Sequence, residues 1–385
     1  MKPADLSSIL FRKDRLIIFL VWLIIHCLFL WKQGIVTTGE SEKYIIQARL
    51  MLDAGHVSSP NYWLYFTQIF VIMIAILFKL GWVFVISIQF IVHLWAIFSF
   101  YKLAGNIFSQ TPALLVTLLF LLNYPMHEFN VYLQTESLFY SLSIIFTTWL
   151  LQIKKLSLRN IPVLLFMLAL LSITRPTGIL FVPAGFLYLF FHFFRNISTG
   201  RKILIVSVIS VAFLFVLNMA IGIGGDLDFM LPYYDERIIC GVPTLYHFVD
   251  IKTAPDGNSI YGLLYYISHN FGQFIRLVLL RSKAFFGLMR TYFSTGHNIF
   301  LAVYFYPVYA MVLAGLKWWI RQNPHYLLYF STIILITWGT VSLTCDDWHN
   351  RFFLTISPWL LLLTLPALNK LFAKFTIHDR KPPVQ

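Results

Sequence analysis

The feature that most constrains this chain is a series of eleven apolar runs, most of them near the length that a membrane-spanning helix needs. A helix requires about 20 apolar residues to cross the hydrocarbon core of a bilayer. Hydrophobic residues make up 59% of the 385 residues and charged residues 12%, and the mean hydropathy is +0.75. This pattern excludes an ordinary soluble enzyme, a disordered chain and a disulfide scaffold, and indicates a multi-pass membrane protein. The runs lie at about 16–31, 62–78, 82–101, 112–124, 137–153, 161–173, 179–194, 203–222, 297–316, 325–343 and 353–369.

Basic clusters between the runs predict how the chain crosses the membrane. Lys and Arg favour the cytoplasmic side, and the first run follows Arg12, Lys13 and Arg15 without a cleavage site, which is typical of an uncleaved anchor. Eleven crossings would leave later basic clusters on the outer side. If the run 62–78 does not cross but lies along or dips into the outer leaflet, every basic cluster is placed on the cytoplasmic side. We therefore expect ten crossings.

The net charge of +13 then reports orientation rather than nucleic-acid binding. Ten crossings place 17 of the 29 basic residues but only 3 of the 16 acidic residues inside. The sequence thus predicts one all-α integral membrane domain over 1–385, with cytoplasmic termini and an outward-facing active site. Its expected parts are a first outer loop at 33–61, an outer amphipathic connection at 223–296 and a cytoplasmic tail at 370–385.

Cysteine and histidine give little sign of a cofactor. Three cysteines lack C-x-x-C spacing, and a Cys240–Cys345 bridge is possible but has no support from spacing. Asp346 and Asp347 with His349 form only a weak divalent-metal pattern, and no nucleotide-binding motif is present, so we expect no cofactor. Histidines that lie in or at the ends of apolar runs are expected to be buried, hydrogen-bonded or interfacial rather than metal ligands, and these are His26, His93 and His192.

An acidic helix start in the first outer segment is the first candidate for chemistry. Glu40, Tyr44 and Ala48 are spaced to share one helical face, and Gly55 can end that helix. A carboxylate there could act as a general base on an acceptor hydroxyl. Glu42 could take the same role. The alternative interpretation is an amphipathic surface helix with a solvated acidic start.

Two further residues are candidates at the outer ends of later runs. Glu136 falls in the first turn of the run that follows it, where the helix dipole also favours an acid, and it could face the same cavity as Glu40. Arg175 lies in a tight turn between two apolar runs. An arginine there needs a phosphate or carboxylate partner, unless its side chain reaches the interface.

Basic residues near the end of the chain suggest anion binding. Arg351 follows Asp346 and Asp347 just before the last run, as an anion ligand or part of a polar helix cap. Arg276, Lys283 and Arg290 are seven residues apart, which predicts a basic stripe on an amphipathic interfacial helix, broken at Gly287. This stripe could contact lipid head groups or a lipid-linked diphosphate, or simply anchor the helix.

Four motifs in order resemble those of the GT-C-fold glycosyltransferases. The segment from Glu40 to Gly55 resembles their first-loop D-S-x-x-Y-x-x-x-A-x-x-L-L-x-x-G, and Thr135-Glu136-Ser-Leu-Phe resembles their T-E-P-L. The segment from Thr174 to Pro183 resembles T-R-P-x-G-L-L-L-x-P, and the segment from Asp347 to Pro358 resembles D-x-R-Y-x-L-P-x-x-P with a shifted gap. The resemblance covers about residues 15–365.

This resemblance implies an enzyme on the outer face of a bacterial inner membrane, which uses a polyprenyl-phosphate-linked sugar and transfers the sugar to a glycan or lipid acceptor. By match, Glu40 would be the base or would position the acceptor, and Glu136 would share the catalytic site. The family would place the phosphate near Arg175 or Arg351. We further expect substrate to be bound by Glu42, Tyr44, Asp346, Asp347, Arg276 and Lys283. Here Glu replaces the usual Asp, and Ser137 replaces Pro. Membrane lipids are the other expected partners, and nucleic acid is not. A non-catalytic lipid-linked glycan transporter or assembly protein remains the alternative.

Overall fold

The computed structural model describes residues 3–194, 197–221, 230–242, 251–255 and 257–378, and within these ranges the ordered elements are helical. Each apolar run forms helix because its length and composition leave the backbone no polar partner but itself. The α-helices are α1 Pro3–Gln33, α2 Glu40–Ala54, α3 Phe66–Leu77, α4 Gly81–Ile107, α5 Gln110–Leu121, α6 Tyr124–His127, α7 Thr135–Leu151, α8 Asn160–Thr174, α9 Phe181–Phe193, α10 Thr199–Ile221, α11 Leu231–Tyr234, α12 Ile260–His269, α13 Phe271–Gly287, α14 Thr295–Gln322, α15 Pro324–Leu343, α16 Arg351–Leu363 and α17 Leu365–His378. The 3-10 helices are Pro60–Tyr65, Glu128–Val131 and Pro176–Leu180.

Within the described residues, six helical segments are long and apolar enough to cross a membrane. They are Lys13–Gln33, Pro60–Leu77, Gly81–Ile107, Pro176–Phe193, Thr295–Gln322 and Pro324–Leu343. A bent pair, Arg351–Leu363 with Leu365–Phe372, gives a seventh if it is one span. The protein is therefore an all-helical membrane protein, and the finer prediction of ten crossings is not established by helix length. One reason is that α5 and α8 are only 12 and 15 residues long.

The chain divides into two compact units. The first comprises residues 1–188, 304–331 and 357–385, and the second comprises residues 189–303 and 332–356. In the first unit, α1 and α4 run antiparallel. The Tyr101 hydroxyl donates to Asp14 at 2.8 Å, and the Trp22 indole donates to His93 at 2.8 Å. The end of α1 at Gln33 therefore lies at the same end of this unit as the start of α4.

Helix α5 also packs antiparallel to α4, but it stops partway along it. The rings of Phe120 and Phe100 have centroids 4.7 Å apart. At about 1.5 Å per residue, the 12 residues of α5 extend only about 18 Å. The short helices from Tyr124 to Val131 continue toward the start of α4, where the Gln89 amide donates to the Tyr132 carbonyl at 2.9 Å. Helix α5 and the segment after it thus form one broken element.

The loops at this end of the first unit are joined to one another. Val36 and Tyr132 form an isolated parallel bridge. A hydrophobic cluster then packs α2 and α3 against the start of α4. Its buried members are Tyr44, Ile45, Ala48, Ile69, Ile72, Ala75, Val85, Ile86 and Leu133. The segment that carries α2 and the residues just before α7 therefore share one core.

The second unit is held by a disulfide and a buried arginine. Cys240 and Cys345 are bonded, with Cα atoms 5.4 Å apart, so the bridge that the sequence left open is present. Arg281 is fully buried on α13 and donates to the carbonyls of Pro232, Arg237 and Ser342. These contacts fix α13 to the segments at both ends of the disulfide.

Candidate functional site

A buried ion pair joins two of the predicted site residues in the first unit. The Arg175 guanidinium donates to the Glu136 carboxylate, and their side chains are 10% and 1% exposed. Glu136 lies in the first turn of α7, and Arg175 follows the last residue of α8. The turn after Arg175 needs Gly178, since a Cβ there would lie 2.1 Å from the Leu171 carbonyl oxygen. The sequence therefore folds back tightly on α8 and holds Arg175 at its end.

Tyr44 and Glu40 belong to the same cluster. The Tyr44 side chain is 1% exposed. Its phenol pKa lies well above the ordinary value because of burial first, and then because of the nearby charges of Glu136 and Glu40, while Arg175 acts in the opposite direction. The structure thus brings together four predicted site residues that come from three separate motifs.

The structure distinguishes the two acids at the start of α2. Helix α2 begins at Glu40, after Gly39, and ends at Gly55 in the left-handed conformation. Glu40 is half-buried, and its carboxylate lies 3.6 Å from the Lys43 ammonium. Glu42 is exposed on another face of α2. Glu40 is therefore the acid on the Tyr44 face.

In the second unit, the late acidic motif forms two buried ion pairs. Arg290 binds Asp346, and the Arg351 guanidinium binds Asp347 through two contacts of 2.9 and 2.8 Å. Burial raises the pKa of Asp346 to about 6, although Arg290 opposes the shift. Both aspartates are thus paired with arginines. This pairing does not favour the divalent-metal site that the sequence weakly suggested.

The predicted basic stripe on α13 is corrected by the structure. Helix α13 ends at Gly287, as the sequence suggested, so Arg290 lies beyond it and is buried at 5% exposure. Arg276 pairs with Glu236. Lys283 is exposed. The three residues do not form one continuous basic surface, because the chain turns at Leu288 with a φ of 64°.

A group of three buried histidines in the first unit was only partly foreseen. His26 and His93 are buried and hydrogen-bonded, as predicted, and His127 joins them, with potential ligand atoms all within 4.8 Å of one another. The Trp22 indole can only donate, so its bond to His93 Nδ1 places the His93 proton on Nε2. That proton points to His127 Nδ1 at 3.1 Å, and His127 Nε2 donates to the Phe120 carbonyl.

A second branch of hydrogen bonds fixes His26. The His26 Nδ1 donates to the Trp22 backbone carbonyl at 2.7 Å, and the His26 Nε2 accepts from the side-chain amide nitrogen of Asn130 at 2.8 Å. The Ser137 hydroxyl donates to the side-chain oxygen Oδ1 of Asn130 at 2.6 Å. The serine that replaces the expected proline therefore ties α7, beside Glu136, to α1. Because the candidate metal-binding nitrogens are already used, the arrangement fits a hydrogen-bonded network better than a metal centre.

No family model matches this chain, and neither the curated proteins nor the solved structures include a significant match.

Proposed function

We propose that this chain is a membrane glycosyltransferase of GT-C-like fold, which moves a sugar from a polyprenyl-phosphate donor to a glycan or lipid acceptor. The observation that carries the proposal is the convergence of Glu40, Tyr44, Glu136 and Arg175 at one end of the first unit. Charged groups buried at a helix end are costly and are typical of functional sites.

The chemistry of sugar transfer fits these residues. A bond forms between the acceptor oxygen and the anomeric carbon, and the bond from that carbon to the phosphate oxygen breaks. The half-buried carboxylate of Glu40 takes the acceptor proton. The phosphate leaves with the bonding electron pair, and an arginine such as Arg175 stabilises its charge. The carboxylate of Glu136 balances Arg175 and favours positive charge on the sugar.

The orientation in the membrane is part of this proposal. The antiparallel pairing of α1 and α4 supports a segment 60–77 that starts and ends on one side, and so supports ten crossings. The Cys240–Cys345 bridge supports an oxidising compartment for that part of the chain. Together with the basic clusters, these features favour cytoplasmic termini and an outward-facing site in a bacterial inner membrane.

A transfer assay in reconstituted membranes tests the proposal. The purified protein is given a panel of polyprenyl-phosphate sugars and candidate acceptors, and the labelled product is counted. We expect Glu40→Gln to lower the rate by about 100-fold or more, while Glu42→Gln, on the exposed face of the same helix, keeps it. Full activity of Glu40→Gln with loss in Glu42→Gln would reverse the assignment, and no transfer from any donor by folded protein would refute the enzyme.

The broken α5 element beside a buried histidine network favours one second candidate, a lipid-linked glycan transporter. Transporters place polar groups within the membrane on interrupted helices. The two candidates differ in detergent micelles, which have no compartments. An enzyme forms product there, whereas a transporter moves its lipid only across a closed vesicle membrane.

A further inference from the structure

Gln68 is a buried amide on α3 whose polar atoms have no hydrogen-bond partner. The residue is 0% exposed, and both Nε2 and Oε1 are unpaired. Leaving such a group unsatisfied costs about 1–3 kcal/mol. A leucine would fill a similar volume without that cost. The amide therefore points to a ligand that supplies the missing hydrogen bonds.

The packing of α3 places Gln68 on the side of the proposed site. Gln68, Ile72 and Ala75 are buried positions of α3 at helical spacing, and so they share one face. Ile72 and Ala75 belong to the cluster that contains Tyr44 and Leu133. Gln68 therefore lies at the first-turn end of the face that packs toward Tyr44.

A second unpaired group, the Thr177 hydroxyl, follows Arg175 closely in the chain. The Thr67 and Thr174 hydroxyls are 2.8 Å apart, so the residue before Gln68 touches the residue before Arg175. Thr177, in the 3-10 turn that follows Arg175, is 9% exposed, and its hydroxyl has no partner. Gln68 and Thr177 thus lie on two elements that the Thr67–Thr174 hydrogen bond connects at the residue before Arg175.

We propose that Gln68 and Thr177 form a subsite for the hydroxyl groups of a saccharide, next to the Glu136–Arg175 pair. An amide offers two donors and an acceptor, and a threonine hydroxyl can donate and accept. Adjacent sugar hydroxyls also donate and accept, and therefore satisfy both side chains at once. This subsite rests on the proposed function, and the saccharide can belong to the donor or to the acceptor.

Gln68→Leu separates binding from folding. We expect this variant to raise the unfolding temperature by about 2 °C, because the unpaired amide is gone. We also expect at least a 10-fold higher KM for the saccharide that the subsite holds, with the KM of the other substrate unchanged. Thr177→Val should raise the same KM. A higher donor KM identifies the donor sugar, and a higher acceptor KM identifies the acceptor.

Gln47→Leu is the matched control. Gln47 is also a buried glutamine, but both its amide atoms bond Ser58. Its loss should lower the unfolding temperature without changing either KM. A Gln68→Leu protein that is more stable and keeps both KM values would overturn the subsite.

A binding measurement keeps this test independent of turnover. If the wild type transfers no sugar, the proposed function fails, and the same panel is used in thermal-shift titrations. The subsite is supported by a polyprenyl-phosphate sugar or free oligosaccharide that stabilises the wild type and whose apparent Kd for Gln68→Leu is at least 10-fold higher. No stabilisation of the wild type by any saccharide refutes it.

Discussion

The carboxylate of Glu136 and the guanidinium of Arg175 form a buried ion pair, although 39 residues separate them in the chain. Removing one partner leaves a buried charge uncompensated. We expect Glu136→Leu to lower the free energy of unfolding by about 3–5 kcal/mol, measured by chemical denaturation in detergent.

The double variant Glu136→Leu/Arg175→Met is the control for this effect. It removes both charges with similar volumes, and we expect it to recover most of the lost stability while sugar transfer stays absent. A single variant as stable as the double variant would show that the pair is not effectively buried.

The disulfide should stabilise the second unit. Cys240 and Cys345 are 105 residues apart. We expect the double variant Cys240→Ser/Cys345→Ser to lower the free energy of unfolding by about 2–4 kcal/mol. Cys27→Ser removes the exposed free cysteine and should have no effect. Thiol alkylation of all three cysteines without a reductant would contradict the bridge.

The raised pKa of the Glu128 carboxyl leads us to expect a pH-dependent stability. Burial raises the pKa of Glu128 from 4.5 to about 7, although the charge of Lys32 opposes the shift. The unfolded chain loses this proton near pH 4.5, while the folded protein keeps it to about pH 7. The Glu128 contribution to stability is therefore greatest below pH 4.5 and decreases as the pH rises to 7.

The variant Glu128→Gln isolates that contribution. We expect it to match the wild type in unfolding temperature near pH 4.5 and to exceed it at pH 8, because the amide never ionises. Equal unfolding temperatures of Glu128→Gln and wild type at pH 8 would mean that burial of Glu128 has no energetic cost.

The histidine network gives a prediction for α1. Trp22→Phe removes the donor to His93 Nδ1 and leaves that nitrogen buried without its partner. We expect a loss of about 1–3 kcal/mol in the free energy of unfolding. Trp31→Phe is the control, because Trp31 lies on the same helix and is 85% exposed. Equal stability of the two variants would show that the indole bond does not hold the network.

Much of the local structure could be read from the sequence. The apolar runs predict the helices, since a segment in a hydrocarbon environment must satisfy its own backbone. Gly55 ends α2 and Gly287 ends α13 as expected. The prediction of one basic stripe was wrong, because helical periodicity applies only within a continuous helix and the chain turns at Leu288. The stripe was to consist of Arg276, Lys283 and Arg290.

The sequence by itself determined that this is a helical membrane protein, and it identified the acids and arginines at the ends of its apolar runs. Only the tertiary structure decided which of these charges meet. It pairs Glu136 with Arg175 and Asp346 with Arg290, links Cys240 to Cys345, and leaves Gln68 unpaired. The reason is physical: hydropathy and helical period depend on neighbours along the chain, whereas pairing depends on how distant helices pack.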